Sequence, residues 1–303
     1  MAKPRGRKLN GWLILDKPQG LISNQSLNRV KRFFNPQKAG MAGILDPLAT
    51  GILPIAFGEA TKTVAHVVDS SKSYRFTVRW GVATDTDDAD GQPIKTSEER
   101  PTREAIEATL PDFTGEIMQT PPRYSAIKVQ GERAYDLARD GEVFELQERP
   151  VNVMSLRVVE TPDADTCVFE ADCGKGTYVR SIARDMGEAL GCLGHIAALR
   201  RTRVGAFQED ASITLDQIEA AVAEGDTLLD RFISPVEAAL DGIPHLSVSR
   251  NDAQTLRRGH AILLRGQSAP VLSGSIYALS DGVLVAIGEV EKGEMHPLRV
   301  FNI

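Results

Sequence analysis

The stretch Gly43-Ile44-Leu45-Asp46-Pro47-Leu48-Ala49-Thr50-Gly51 surrounds one carboxylate with apolar and small residues. Pro47 biases Asp46 towards an extended backbone, which restricts the direction of its side chain before any tertiary contact forms. A carboxylate in such a setting is costly if it is buried alone, so it needs a cationic partner or a position facing a cleft. Local sequence by itself favours a structural Asp-Pro turn over a functional carboxylate.

Short periodic segments flank this stretch on both sides. The predicted elements are a buried strand at 11–18, a helix at 25–34, an apolar run at 52–57 and a half-buried strand at 74–80. The loop between the helix and the apolar run carries Asp46. We therefore expect the chemistry to lie where loops meet strand ends.

The strongest helix signal covers residues 178–190. Apolar residues recur there at intervals of three and four, which places them on one face, and Gly191 ends the pattern. Arg180 falls on the opposite face. Further along the chain, Thr214 and Gln217 have capping-box spacing and predict the start of another helix.

The length of 303 residues exceeds the usual size of one compact core, so a large domain and a small one are expected. The pattern changes near residue 244. Short apolar runs separated by glycine-containing turns begin there and predict a small β-barrel-like module. We therefore predict an α+β chain with domains at residues 1–243 and 244–303.

Charge is distributed unevenly along the chain. The formal net charge is −6, but binding of nucleic acid depends on where charge lies rather than on its sum. Acidic residues crowd the segment 209–241. Basic clusters lie at residues 3–8, 31–38, 200–203 and 257–265. We expect an acidic back and a basic front, although each cluster taken singly also fits an ordinary solvated face.

Membrane and export signals are missing from the sequence. No apolar run approaches the roughly 18 residues of a membrane span, and the basic start is not followed by a signal region. Cys167, Cys173 and Cys192 lack CxxC spacing and are expected to be reduced packing residues. These features predict a soluble, cytoplasmic protein without membrane contact.

Several common sites are excluded by their motifs. The chain has no P-loop signature, no HExxH, no G-x-S-x-G and no strand-placed GxGxxG. Counted from Asp85, the acidic run at 84–91 has Ala89 at the fifth position, and Thr96 follows at the twelfth, where a calcium loop needs an oxygen ligand and a glutamate. It predicts a solvated turn. We expect neither a metal nor a cofactor.

The longer run at residues 38–62, which contains Asp46, closely resembles the catalytic motif of bacterial tRNA pseudouridine-55 synthases. Segments that resemble this family in the same order are Gly11–Gly20, Ser73–Arg75, Thr84–Gly91, Pro121–Ala126, Gly176–Arg180 and Ala198–Arg201. The C-terminal residues resemble the PUA-type RNA-binding module of that family. The resemblance implies the pseudouridine synthase fold, a mixed, largely antiparallel sheet flanked by helices, followed by a PUA-type domain.

The same resemblance implies cofactor-free isomerisation of uridine 55 in the T-arm of tRNA. It makes Asp46 the catalytic carboxylate, acting as nucleophile or base, and the conversion needs no oxidation, hydrolysis or energy donor. It also implies that Tyr74 stacks on a flipped-out uridine. Arg180 is implied to form an ion pair with Asp46.

Substrate-binding positions also follow from the resemblance. Tyr178 and Leu199 would line the uracil pocket, and Lys17 would support the site or a phosphate. Met41 stands where the family has a histidine that contacts the RNA, and a thioether cannot donate a hydrogen bond. Ordinary core or surface positions remain the alternative for Tyr74, Tyr178, Leu199 and Arg180.

Two other functions stay open at this point. The chain also fits a non-catalytic or weakly active tRNA-binding or tRNA-folding protein, in which Met41 has weakened turnover. It fits, thirdly, an enzyme that uses an aspartate nucleophile on a phosphorylated metabolite, although it has no phosphate-binding glycine loop. A monomer is expected, since the family resemblance points there and no coiled-coil seam appears.

Overall fold

The computed structural model describes residues 6–225, 229–264 and 274–303. Its first strands are β1 Gly11–Lys17, β2 Ala39–Met41, β3 Thr50–Phe57, β4 Lys72–Trp80, β5 Val82–Thr84, β6 Pro93–Thr96, β7 Gly115–Gln119, β8 Lys128–Val129 and β9 Glu132–Arg133. The later strands are β10 Arg149–Glu160, β11 Thr166–Cys173, β12 Gly194–Val204, β13 Phe207–Gln208, β14 Ile213–Thr214, β15 Ile233–Ser234, β16 His245–Ser247, β17 Ile262–Leu263, β18 Gly274–Ser280, β19 Val283–Glu291 and β20 Glu294–Val300. The helices are α1 Ser23–Phe34, α2 Val64–Asp69, α3 Arg103–Thr109, α4 Ala134–Arg139, α5 Val179–Ala189, α6 Leu215–Ala223 and α7 Arg250–Arg257.

Eleven of these strands form one large sheet. Its main path is β14, β1, β3, β12, β4, β11, β10 and β7, and β2, β13 and β15 are attached beside it. β1 pairs with β14, and β3 with β12, in parallel. The other pairs are antiparallel. The predicted mixed, largely antiparallel sheet is confirmed.

The large sheet buries side chains on both faces. Along β1, Leu13 and Leu15 belong to one apolar core, whereas Trp12 and Ile14 belong to a second. Successive residues of a strand alternate between the faces, so a continuous apolar run suits a strand that is covered on both sides. We call the side of Leu13 and Leu15 the inner face and the side of Trp12 and Ile14 the outer face.

The helix predicted at 178–190 is present as α5, with Tyr178 at its N-cap and Leu190 at its C-cap. Gly191 follows at a φ of +70°, a left-handed conformation that costs glycine little. Ile182 and Met186 pack into the core of the inner face. Because α5 packs on β12, its first turn is held over this face.

Two other predicted helices are present with small shifts. α1 begins at Ser23, earlier than the predicted start at Gln25, and the Gln25 side chain accepts a hydrogen bond from Ile22 N–H at 3.2 Å. α6 begins after Thr214, whose Oγ1 accepts a hydrogen bond from Gln217 N–H at 3.1 Å. Gln217 Oε1 accepts one from Thr214 N–H at 2.9 Å, so the predicted capping box is confirmed.

The C-terminal strands form a second sheet in the order β16, β18, β19, β20 and β17. This sheet curls into a half-barrel, and Ala253 and Leu256 of α7 pack in its core. The predicted small barrel-like module of PUA type is confirmed. The ends of two predicted basic clusters, at residues 3–5 and at residue 265, lie outside the described residues.

The C-terminal sheet and the outer face of the large sheet share an apolar core. Leu284, Ile287 and Phe301 pack in the same cluster as Trp12 and Ile52. Each large apolar side chain buried there stabilises the fold by roughly 1.5–3 kcal/mol. The predicted domain boundary at residues 243 and 244 therefore falls between two units that pack against each other, and its position stays a prediction.

Two expectations drawn from composition can be compared with the structure. In the part of the chain that the structure describes, no helix is both long and apolar enough to cross a membrane. Cys167, Cys173 and Cys192 are buried and free, which confirms that they are packing residues. Burial raises the pKa of the Cys167 and Cys173 thiols to about 12.

Candidate active site

Asp46 lies in a turn whose flanking residues are anchored to the segment between β1 and α1. Ser23 Oγ accepts a hydrogen bond from Leu45 N–H at 2.9 Å and donates one to Leu45 O at 3.0 Å. On the other side, Pro47 O accepts a hydrogen bond from Gly20 N–H at 2.9 Å. The backbone around Asp46 is therefore held from both sides, while its side chain remains 36% exposed.

Arg180 meets Asp46 directly from the first turn of α5. Its Nη2 donates a hydrogen bond to Asp46 Oδ1 at 3.1 Å, and its Nε lies 2.9 Å from Oδ2 with its N–H out of alignment. Nη1 donates to Thr86 O and Nη2 to Tyr124 O, both at 2.9 Å. The side chain is 5% exposed, so the surface alternative for Arg180 is wrong, and the ion pair implied by the resemblance is present.

The acidic turn at 84–91 is only partly solvated: Ala89 and Asp90 are exposed, but other members are buried, so this prediction was wrong in part. Asp88 is buried, with its Oδ2 3.7 Å from Arg180 Nη1, and Asp87 Oδ2 lies 3.0 Å from Arg184 Nη1. Each carboxylate receives an arginine of α5, which offsets the cost of its burial. Burial still raises the pKa of Asp87 to about 6 and raises the pKa of Asp88 as well.

Asp88 is a site residue that sequence reasoning missed. Thr86 Oγ1 donates to its Oδ1 at 2.6 Å, and Asp90 N–H donates to the same oxygen at 3.1 Å. Arg180 therefore lies between the exposed carboxylate of Asp46 and a buried carboxylate that is fixed within its own turn. The available signal was the density of acidic residues, which had to find cationic partners if the turn was buried.

Tyr74 of β4 and Arg201 of β12 are cross-strand neighbours on the inner face. Arg201 is buried, and its Nε donates to Ile52 O at 2.8 Å and its Nη2 to Gly43 O at 3.1 Å. Its guanidinium also lies beside the half-buried Tyr74 hydroxyl. Burial raises the pKa of Tyr74, and the Arg201 guanidinium opposes that rise.

The basic cluster predicted at residues 200–203 does not form a basic surface, and this part of the basic front was wrong. Arg200 pairs with Asp16 at 2.7 Å, and Arg203 pairs with Asp172 at 3.1 Å. Both pairs lie on the outer face, whereas the arginine between them points inward. Strand alternation turns Arg201 inward, and the register shift between Arg201 and Arg203 returns Arg203 to the outer face. Carboxylates neutralise the two outer arginines. Arg201 was thereby missed as a site residue.

Leu199 lies on the inner face of β12, next to the cross-strand residue Phe76. It is 8% exposed. Together with Leu48 it borders a cavity of about 300 Å³. The apolar surroundings are compatible with a base-binding role, and the uracil contact of Leu199 stays a prediction.

Tyr178 precedes α5 and is held by its backbone. Its N–H donates to Gln119 Oε1 at 2.8 Å, and its carbonyl oxygen accepts from Gln119 Nε2 at 3.1 Å. The centre of its ring lies 5.4 Å from the Arg149 guanidinium carbon. Gln119 thus fixes the start of α5, and with it the approach of Arg180 to the site. The uracil contact of Tyr178 also stays a prediction.

Lys17 is fully buried at the end of β1. Its Nζ donates to Pro18 O at 2.9 Å, to Leu21 O at 2.7 Å and to Pro47 O at 3.3 Å. An ammonium has three hydrogens, and in this arrangement carbonyl oxygens accept all three, so a phosphate contact of Lys17 stays a prediction. The Nζ contact to Pro47 O supports the turn that carries Asp46. Burial lowers the pKa of Lys17 to about 8, while nearby Asp46 raises it.

Met41 lies in β2 opposite Ile55 of β3 and packs, half-buried, against the core of the inner face. Ile44, in the loop that leads to Asp46, is 64% exposed. The RNA contact of Met41 stays a prediction. Ile44 is thus the more accessible of these two apolar side chains and lies near Asp46 in sequence.

The structure thus brings Asp46 and Arg180 together, with Tyr74 and Arg201 beside them and Lys17 beneath the turn. Such a site offers an oriented carboxylate, a phenol next to a guanidinium, and apolar side chains for a planar base. Across the described residues, no three His, Cys, Asp or Glu side chains gather as metal ligands.

Two family models match the chain in succession. The model of the TruB family pseudouridylate synthase N-terminal domain matches residues 31–179, and that of the tRNA pseudouridylate synthase B C-terminal domain matches residues 180–241. The chain is also 59% identical over 300 residues to tRNA pseudouridine synthase B of Bradyrhizobium diazoefficiens, covering 98% of this chain and 87% of that protein. It is 51% identical over 305 residues to the protein of the same name from Agrobacterium fabrum, covering 99% and 97%.

Solved structures give the same fold. A chain in an H/ACA ribonucleoprotein bound to a substrate RNA containing 2′-deoxyuridine matches with a TM-score of 0.75 at 23% identity, covering 100% of this chain and 92% of that one. A chain in a Cbf5-Nop10-Gar1 complex matches with a TM-score of 0.71 at 25% identity, covering 96% and 84%. These likenesses support the pseudouridine synthase fold.

Proposed function

The chain belongs to the TruB family of pseudouridylate synthases, and on that premise we propose that it isomerises uridine 55 in the T-arm of tRNA with Asp46 as the catalytic carboxylate. It is an isomerase, a tRNA pseudouridine synthase. The position of the target uridine and the roles of individual residues are the proposed part. The non-catalytic tRNA-binding alternative is what the experiment below must exclude.

One observation carries the assignment of Asp46. Its carboxylate is held by Arg180, which is almost fully buried, yet 36% of the Asp46 side chain remains exposed. Arg180 is buried and also donates hydrogen bonds to Thr86 O and Tyr124 O, so its guanidinium is fixed in position. The carboxylate is therefore oriented before substrate arrives, which is the arrangement that favours a reaction at a fixed atom.

The reaction needs little beyond this geometry. The bond from N1 to the ribose breaks, the base turns, a bond from C5 to the ribose forms, the C5 proton leaves and N1 gains a proton. Atoms and electrons balance within the substrate and water. In these steps Asp46 acts as nucleophile or as base. In either role it must reach a uridine that has left the RNA stack, and unstacking the uridine costs a few kcal/mol.

Tyr74, Tyr178 and Leu199 are proposed to hold the flipped base. Stacking of a base on an aromatic ring contributes roughly 1–3 kcal/mol, which offsets much of the cost of flipping. Besides burial, the nearby Asp46 carboxylate raises the pKa of the Tyr74 hydroxyl, so Tyr74 lies near the proposed reaction centre. Lys17 is proposed to support the catalytic turn, and Met41 to contact RNA beside it.

The RNA outside the T-loop is proposed to lie along exposed cations and the C-terminal PUA-type module. Lys31, Arg32 and Lys38 of the predicted basic front are exposed. We further propose that residues 1–243 and 244–303 are the two domains and that the protein acts as a monomer in the cytoplasm without a cofactor.

A tritium-release assay tests this function. A tRNA transcript labelled at C5 of uridine is incubated with the parent chain, with Asp46→Asn and with Asp16→Asn. Asp16 is a matched control because it is also paired with an arginine, Arg200 at 2.7 Å, but lies on the outer face. The parent chain and Asp16→Asn are expected to release tritium from the transcript, whereas Asp46→Asn is expected to release none.

A second transcript, with cytidine at position 55, should release no label, while its binding to the parent chain should be retained. Release at the parental rate from this transcript would contradict the assignment of position 55. Release by Asp46→Asn at the parental rate would contradict the catalytic assignment. Tight tRNA binding with no release by any chain would instead identify a binding protein.

A further inference from the structure

We propose that Arg201 is a positioning residue that fixes the Tyr74 side chain and joins it to the catalytic turn, a role that rests on the proposed function above. Arg201 and Tyr74 are cross-strand neighbours on the inner face. Arg201 Nη2 donates to Gly43 O at 3.1 Å, and Gly43 opens the turn that carries Asp46. Arg201 is thus hydrogen-bonded to the turn that carries Asp46 and neighbours the tyrosine proposed to stack on the base.

Arg201 is held in place by its strand neighbours. Its Nε donates to Ile52 O of β3 at 2.8 Å. The backbones of β3 and β12 approach so closely that a Cβ on Gly51 would lie 2.2 Å from Arg201 O. A Cβ on Gly43 would lie 3.2 Å from Arg201 Nη1, so the guanidinium fits closely against the turn as well. Its position is therefore determined by two independent contacts before Tyr74 is considered.

A purely structural role does not account for an arginine at this place. Burying a guanidinium away from water is costly, and apolar residues of similar volume usually replace buried charges without loss of stability. Arg201 is 2% exposed, and its hydrogen bonds reach neutral carbonyl groups rather than a carboxylate. What the guanidinium adds over an apolar side chain is a positive charge beside Tyr74, its cross-strand neighbour.

The consequence for Tyr74 is a fixed ring and a fixed hydroxyl. With a guanidinium beside the phenol oxygen, the hydrogen of the phenol is directed away from Arg201, and the plane of the ring is restricted. Burial also brings the Cys173 thiol and Asp46 close enough to affect this hydroxyl. The charges that face Arg201 itself include Lys17, Lys72 and Asp46. The base would thus stack on a ring whose position is set before binding.

The contact can be tested without any activity measurement. The chain has five tyrosines, so ¹³Cζ-tyrosine labelling gives few signals, and Tyr74→Phe identifies the one from Tyr74. In Arg201→Met the Tyr74 signal should move and its pKa should rise, because the guanidinium that lowers it is gone. Arg203→Met is the matched control on the same strand, paired with Asp172 on the outer face, and should leave the signal unchanged.

The role in catalysis is tested by single-turnover rates and tRNA binding with the same variants. Arg201→Met should lower the rate by about 100-fold, the loss typical of a displaced reacting group, with tRNA affinity kept within about threefold. Arg201→Lys keeps the charge but not the forked set of donors, so its single-turnover rate should lie between those of Arg201→Met and the parent chain. If Arg201→Met does not fold, Arg201→Lys can be used instead for both the tyrosine signal and the rate measurement.

An unchanged Tyr74 signal in the Arg201 variants would overturn the proposal, as would an unchanged rate in them. Failure of the proposed function has a different signature: the parent chain itself would release no tritium, whereas the Tyr74 signal would still respond to Arg201.

Discussion

The cations carried by the strands of the large sheet are held in opposite ways on its two faces. On the inner face, Lys17, Lys72 and Arg201 donate to backbone carbonyls. On the outer face, Arg200 and Arg203 pair with carboxylates. Carbonyls satisfy hydrogen bonds without cancelling a charge, whereas carboxylates cancel it. A chain with a net charge of −6 can therefore keep positive charge beside its site for a polyanionic substrate.

The strongest test compares Arg180 of α5, which lies over the inner face and holds Asp46, with Arg203 of the outer face. Arg180→Met should lower the single-turnover rate by about 100- to 1,000-fold, the loss typical of a removed preorganised donor. It should also destabilise the fold by about 3–5 kcal/mol, because the buried Asp88 carboxylate loses its partner. Arg203→Met removes a partly exposed pair and should cost about 0–1 kcal/mol with no change in rate. Rapid-quench kinetics and denaturant titrations measure both.

Arg180→Lys guards against a trivial loss through unfolding. It retains the charge near Asp46 and Asp88 but cannot reproduce the fork of donors, so it should fold and remain slow. A parental rate in Arg180→Lys, or an equally large loss in Arg203→Met, would remove the distinction between the faces.

The pH dependence of stability sharpens the comparison for the two buried lysines. Burial lowers the pKa of Lys17 and Lys72 to about 8, from 10.5 in the unfolded chain. Between these values the unfolded state binds more protons, so each lysine makes the unfolding free energy rise with pH, by up to about 1.4 kcal/mol per pH unit. Below about pH 8 the cost of burying the charge is fully present, and above 10.5 it is gone.

Lys17→Met and Lys72→Met should each lose this rise. The measurement is the unfolding free energy of parent and variants between pH 7 and 10.5, taken as a difference so that other titrating groups cancel. If the unfolding free energies of parent and variant changed in parallel with pH, the lysine would have the same pKa in the folded and unfolded states, which would contradict this prediction. Lys17→Met should additionally slow catalysis, since its Nζ contact to Pro47 O supports the turn, whereas Lys72→Met should not.

Two buried serines of α1 offer a milder and closely matched pair. Ser23→Ala removes both hydrogen bonds to Leu45, leaving buried backbone groups unpaired at a cost of about 1–3 kcal/mol, and should slow catalysis because Asp46 follows directly. Ser26 is equally buried, but its hydroxyl has no hydrogen-bond partner among the described residues. Ser26→Ala should therefore be neutral in melting temperature and rate. Equal effects from both serines would mean that Ser23 acts by packing alone.

Local pattern and family likeness predicted the elements well and the electrostatics poorly. The periodicity at 178–190 and the capping box at Thr214 depend on neighbours in sequence, and both are present. The inward direction of Arg201 depends on how β12 pairs with β4 and β3, and the burial of Asp88 depends on α5 lying over its turn. A cluster of charges in the sequence shows neither the direction of Arg201 nor the burial of Asp88. The predictions of a basic front and of a solvated turn were therefore both wrong in part.

The smallest expected effect concerns cations that belong to neither face. Lys31 and Arg32 end α1 in exposed positions, outside the carbonyl contacts and carboxylate pairs that define the two faces. If they meet phosphates, the double substitution Lys31→Gln with Arg32→Gln should reduce the slope of log affinity against log salt by about 2, measured between roughly 50 and 200 mM, with the rate on bound tRNA unchanged. A parental slope would place the phosphate contacts elsewhere, and a slower rate on bound tRNA would mean that attraction of RNA and chemistry are not separable in this molecule.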